Sequence, residues 1–211
     1  MPAALLPALP VPVPHPIPLP DPPPALSRAQ RLKARTDQAH RRVDERILGL
    51  GIFDSRAAFA RFVRVQHRLH ADVQGLYACT LLLRQLPSLA GRQRLSLIER
   101  DLADLDVPVP DPSAATPDLG TLAHRLGWLY VVEGSALGGA VLLKMAARLG
   151  LHQDFGARHL APAAQGVAAT WRRFAAELDA IVLEPPQETA VLQGAEEAFA
   201  RVVHHVEAEF R

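Results

Sequence analysis

The sequence predicts an all-α fold, a single-domain helical bundle, and three observations carry that reading. Apolar residues recur in alternating steps of three and four, Ser27–Gln30 spells a helix-starting capping box, and strand-like alternation is absent. The chain of 211 residues is long enough to bury a sizeable core. Residues 1–25 read as a proline-rich tail, leaving residues 26–211 as one helical domain.

The opening stretch MPAALLPALPVPVPHPIPLPDPPP is apolar, but it lacks a basic start and is broken by proline every two or three residues. Neither a signal peptide nor a spanning helix fits that pattern, and an extended tail does. The first helix starts at Ser27, carries Leu32, Thr36, Ala39, His40, Val43 and Ile47 on its inward stripe, and stops at Gly49 and Gly51. A second helix is expected from Asp54 or Ser55 to about Gln85, with Phe59, Phe62, Val63, Leu69, Val73, Leu76 and Tyr77 inward until Pro87 ends it. A third covers Ser88 to Leu105. The run Asp106 to Asp118 is a proline-punctuated loop whose Thr116-Pro117 pair suits the start of a fourth helix, which reaches Leu149 and stops at Gly150. Two more are expected, from near Pro162 to Leu183 and from about Gln187 to the end, the last with Val191, Phe199, Val202, Val206 and Phe210 on one face.

Charge narrows the function. With 23 basic residues against 22 acidic ones, the chain has no electrostatic footprint for nucleic acid or a membrane surface. The single cysteine, Cys79, excludes an internal disulfide and a multi-cysteine metal site, and it sits in a leucine-rich run that reads as core. A cytoplasmic protein without a membrane anchor is the expectation.

Two segments carry the chemistry. On the first helix, Lys33, Thr36, His40 and Asp44 share one side. A histidine that ligates a metal through one ring nitrogen needs the other held by an acceptor, and a carboxylate at i+4 is placed to do so. On spacing alone, a core histidine bonded to a neighbour is the commoner case. The second segment, Tyr130 to Gly139, interrupts a strongly helical pattern with Gly134, Gly138 and Gly139, at about 1 kcal/mol each relative to alanine. Removing side chains lets a helix backbone bend across a flat ligand, or lets two helices pack closely. His67 and His70 lie on the second helix, where one should face inward, and the adjacent His204 and His205 project about 100° apart and chelate poorly.

Taken together, the two segments resemble a known family. RLKARTDQAH, Arg31 to His40, is similar to the proximal-helix signature of haem oxygenases, and LYVVEGSALGGAVL, Leu129 to Leu142, resembles the distal-helix signature of the bacterial branch associated with bacteriophytochromes. The resemblance spans about residues 27–210 and implies a haem-oxygenase-like bundle. It makes His40 the ligand to haem iron and places Asp44 where many members hold that ligand with glutamate. It pairs Lys33 and Arg172 with haem propionates, with Arg173 and Tyr130 nearby, and sets Thr36 beside the ligand and Phe199 against the haem. Gly134, Gly138 and Gly139 match the flexible distal glycines.

One departure stands out. Many members have aspartate directly after the first distal glycine to organise proton-delivering water, whereas this chain has Ser135. Delivery then uses Ser135, another residue, or water held by backbone groups. Glu133 points about 100° away.

The implied reaction uses haem as both cofactor and substrate, and cleaves it with O2 and electrons to biliverdin, carbon monoxide and ferrous iron. No dinucleotide, flavin or iron–sulfur motif is present, so a partner such as ferredoxin or a flavin reductase is expected to supply electrons. Arg28, Arg31, Lys33, Arg35, Arg41 and Arg42 offer that partner a basic patch, or form a solvated helix face. A bacteriophytochrome is a further expected partner. Two alternatives stay open at this level: a haem carrier or sensor that does not turn over, and a haem-free helical protein of related architecture.

Overall fold

The computed structural model describes residues 26–112 and 116–211, so the expected tail at 1–25 lies outside the described residues. Among the described residues eight α-helices follow one another: α1 Arg28–Gly49, α2 Arg56–Asp72, α3 Thr80–Gln85, α4 Leu95–Asp104, α5 Leu122–Ser135, α6 Gly139–Ala146, α7 Val167–Ala180 and α8 Pro185–Glu209. Short 3-10 turns join several of them, and no strand occurs among the described residues.

The local rules hold at most ends. The Ser27–Gln30 capping box is formed in both directions. Ser55 caps α2, Gly51 and Gly150 take the left-handed conformation that closes the preceding helices, and Glu184 with Gln187 forms a second capping box around Pro185. Pro185 therefore opens α8 and does not merely end α7.

Five boundaries differ from the sequence reading, one being the expected fourth helix, which is divided by a 3-10 turn over Ala136–Gly138 into α5 and α6. The long second helix breaks after Asp72 and resumes as a 3-10 turn and α3, because Asp72 is drawn to Arg201 and His205 and Gly75 gives the helix little support. The third starts only at Leu95, since Gly91 adopts a positive φ of 74° and swings Arg92 and Arg94 inward. Thr116-Pro117 does not start α5. Asp118 accepts from the Gly120 amide, the chain reverses at Gly120, and Thr121 is the cap. Gly166, at φ 82°, delays α7 until Val167.

The apolar residues gather in two clusters. One holds Leu32, Leu69, Leu126, Trp128, Leu129, Phe174, Leu178, Val191 and Phe199, and Cys79 packs against it. The other holds Ile52, Phe59, Phe62, Ile98, Leu102, Leu151 and Leu160. The run Leu122–Leu149, from α5 through α6, is long and apolar enough to cross a membrane by length and composition, and 44% of its 18-residue apolar window is buried inside the protein. At its centre α5 crosses α8 with no side chain between them. A Cβ on Gly127 would overlap the Val191 carbonyl, and one on Gly194 would overlap the His124 carbonyl.

Buried ion pairs pin the ends of the bundle. Arg28, 5% exposed, binds Glu188 at 2.8 Å and the carbonyls of Leu178 and Ile181. It therefore ties α1 to α7 and α8 and is no part of a free basic surface. Glu209 receives Arg64 and Arg68 at 2.5 Å each, and Asp72 receives Arg201 and His205 at 2.7 Å each. Burial acts to raise both carboxyls, but these hydrogen bonds and charges hold them below their ordinary values.

Two outcomes follow. Gly127→Ala or Gly194→Ala should cost about 1–3 kcal/mol or more by overpacking, read as a lower denaturation midpoint. The two clamped carboxylates have lowered folded pKa values, so their stabilisation is fully present above the ordinary carboxylate range near pH 4 and is lost as pH falls through the folded values. Denaturant titrations across that range should show the decline, and Asp72→Asn should lower neutral-pH stability and flatten it.

Candidate functional site

Between the two apolar clusters lies a cavity of about 620 Å³. It takes Leu69, Val131 and Phe199 from one cluster and Phe62, Leu142 and Leu160 from the other. That size and mostly apolar character suit a flat organic ligand.

His40 lines the cavity from α1. Its side chain is 56% exposed, so on this inward stripe it meets open space and not core. Asp44 stands one turn on, with Oδ2 3.1 Å from His40 Nδ1. That contact occupies Nδ1 and leaves Nε2 as the nitrogen available to a metal. Phe199 of α8 meets the imidazole edge-to-face, with centroids 5.9 Å apart. Thr36 and Lys33 line the cavity on the preceding turns. Thr36 donates to the Leu32 carbonyl at 2.8 Å and also engages the Tyr130 hydroxyl, whose phenol burial pushes above its usual range. Lys33 is exposed, 3.7 Å from Asp37.

The opposite wall is the junction of α5 and α6. Helical hydrogen bonding gives way to a 3-10 turn over Ala136–Gly138, so the backbone bends where the glycines cluster. The three glycines differ in what they permit. Gly138 faces open space, a Cβ on Gly134 would touch the Trp171 ring at 3.6 Å, and one on Gly139 would press on the Leu160 carbonyl at 3.0 Å. Ligand room and close packing are thus both present, at different positions. Ser135 lines the cavity, but its hydroxyl donates to the Val132 carbonyl at 2.7 Å, leaving only lone pairs to offer.

Some expected residues lie elsewhere. Arg172 and Arg173 are exposed on α7 and do not line the cavity; Trp171 does, packing edge-to-face with Tyr130 at 5.5 Å. Glu133 is buried on the far side of α5, bound by Arg92 and by the Tyr77 hydroxyl at 2.6 Å each. His205 is buried against Asp72 while His204 is exposed. Of the basic first-helix residues, Arg31 pairs with Glu188, Arg35 with Glu196 and Arg41 with Asp37.

Sequence reading missed the polar end of the cavity, formed by Gln66, His70, Arg94 and His159. His70 was visible only as one of two histidines on α2, and both proved buried. Arg94 and His159 gave no local signal, because a turn at Gly91 and a loop after α6 bring them in.

Comparison with known proteins gives the family and the fold. Residues 26–208 match the Heme oxygenase family model. The chain is 44% identical over 185 residues to the heme oxygenase PigA of Pseudomonas aeruginosa, covering 87% of this chain and 93% of that protein. It is 32% identical over 166 residues to a heme oxygenase of Xanthomonas campestris pv. campestris, covering 78% and 97%. Its fold superposes with a TM-score of 0.84 on the NO- and CO-bound heme oxygenase of Neisseria meningitidis, at 35% identity and covering 88% and 93% of the two chains. With a family model spanning nearly all of the described residues and two named relatives at 44% and 32% identity, the chain belongs to the haem oxygenase family.

Proposed function

We propose that this protein cleaves haem with O2 and electrons to biliverdin, carbon monoxide and ferrous iron, using His40 as the protein ligand. The observation that carries the proposal is a cavity-facing histidine whose Nδ1 is already engaged by a carboxylate, set across an apolar slot from a glycine-bent helix. These residues fit the group. The slot is apolar on its broad walls, Nε2 of His40 is unengaged, and Lys33 offers a cation to a propionate.

Bound haem supplies the iron that activates O2 and the porphyrin that is cleaved. The chain's own residues do the rest. Asp44 fixes the ring orientation of His40 through Nδ1 and leaves Nε2 to bind the iron, an imidazole in place of a thiolate. Phe199 packs against the imidazole edge, and Tyr130 through Thr36 braces the same helix. Gly134 and Gly138 place no side chain on the α5–α6 wall, while Lys33 would pair with a propionate and so bias how the ring sits. Arg172, lying outside the lining, acts on a propionate only after a side-chain or helix movement.

Electrons come from a reductase partner, for which a ferredoxin or a flavin reductase is the natural class. The product's receiver is a bacteriophytochrome in this reading, supported by the form of the distal motif. Residues 26–211 act as the catalytic domain and residues 1–25 as an appended tail, in the cytoplasm, where reduced donors are at hand.

Hemin, O2 and an electron donor should convert the Soret band into the broad red band of biliverdin. His40→Ala should abolish that conversion, and Asp44→Ala should weaken hemin binding by about ten- to a hundredfold in absorption titrations. A stable Soret complex with no biliverdin under any donor would favour a carrier or sensor. In denaturant titrations Gly138→Ala should leave stability unchanged or raised by up to about 1 kcal/mol, while Gly139→Ala should lower it.

A further inference from the structure

The mouth of the cavity is short of positive charge. Among the described residues the lining holds two lysine or arginine side chains, Lys33 on α1 and Arg94 at the far end, and Arg94 is turned to the His159 carbonyl. Against them α1 sets two carboxylates in the lining, Asp37 one turn before His40 and Asp44 one turn after it. Asp44 is engaged by His40 Nδ1 at 3.1 Å, which leaves Asp37 as the carboxylate beside Lys33.

Asp37 is held there by its own helix. Its Oδ2 lies 2.8 Å from Arg41 Nη1 at i+4, and its Oδ1 lies 3.7 Å from Lys33 Nζ at i−4. The longer distance is beyond a hydrogen bond, so Lys33 is drawn toward Asp37 and still has its donors to give. Arg41 is exposed and outside the lining, so it orients the carboxylate without bringing a cation into the cavity. The other arginines of α1 supply no replacement. Arg31 and Arg35 pair with Glu188 and Glu196 of α8, Arg28 is buried, and Arg42 is exposed outside the lining.

We propose that Asp37 is a specificity-determining residue: it leaves Lys33 to one haem propionate and repels the other from the α1 edge, so that the porphyrin takes one in-plane rotation in the slot. The inference rests on the haem oxygenase reading. A rotation that brought both propionates to α1 would gather three carboxylates around one ammonium, and like charges at an apolar wall repel more strongly than they do in water. A rotation that keeps one propionate on Lys33 and the other away from α1 avoids that crowding. Because the meso carbon nearest the α5–α6 bend changes with rotation, Asp37 restricts which biliverdin isomer forms. It acts through charge at the mouth and touches no reacting atom.

The test uses the full chain. In its ferric cyanide complex with hemin, the porphyrin methyl shifts in the proton NMR spectrum report the ring's rotation, and forms that differ only by exchange of the two propionates count as one. The wild type should show one dominant rotation. Asp37→Asn should change the ratio of rotations by about two- to fivefold, the scale on which a half-exposed charge acts, and Asp37→Glu should restore the wild-type ratio. With hemin dimethyl ester, which carries no propionate charge, the wild type and Asp37→Asn should give the same ratio. In turnover with O2 and an electron donor, the biliverdin isomers of Asp37→Asn should shift in the same proportion. An unchanged ratio in Asp37→Asn with hemin, or an equal change with the dimethyl ester, overturns the proposal. Absence of biliverdin from the wild-type protein overturns the haem oxygenase reading instead, and the cyanide complexes still show whether Asp37 sets the rotation.

Discussion

The close crossing of α5 and α8 sets everything else. Because Gly127 and Gly194 let the two backbones touch, the position of α5 is fixed relative to α8 with no side chain to cushion it. Further along, α8 carries Phe199 to His40 and Glu196 to Arg35, so it also fixes α1. The distance between His40 and the glycine bend is thereby held by one shared neighbour. The cavity lies between the two apolar clusters and is lined by the 3-10 turn at Ala136–Gly138, where Gly138 offers no side chain to fill it.

Much of this was legible in the sequence, for reasons tied to local chemistry. The Ser27 box, the Gly51 and Gly150 stops and the i+4 spacing of His40 and Asp44 depend on residues within a few positions of one another. The breaks after Asp72 and at Gly91 were not legible, because their causes are Arg201, His205, Glu133 and other residues far along the chain. At the site, Lys33, Thr36, His40, Asp44 and the glycines Gly134, Gly138 and Gly139 line the cavity, while Arg172 lies outside the lining and its neighbour Trp171 is part of it. Residue type and helix phase identify a face but do not fix which residue of a short amphipathic helix reaches a cavity. His159 and Arg94 were invisible for the opposite reason, sitting in irregular segments without periodicity.

Polarity is divided within the cavity. Its broad walls are apolar, its mouth carries Lys33 and Asp37, and its far end gathers His70, His159 and Arg94. A planar molecule with anionic arms at one edge fits that distribution with its arms toward Lys33 and its opposite edge toward His70, Arg94 and His159. The buried, unpartnered His70 Nδ1 and His159 Nε2 leave water or substrate to meet them.

The measurement that bears most directly on this account is a crystal structure of the protein with hemin. The account places the iron on His40 Nε2, with Asp44 on the other ring nitrogen and the porphyrin lying between α1 and the Gly134–Gly139 bend. Iron bound to His70 or His159, or a porphyrin seated outside the cavity between the two apolar clusters, would contradict it.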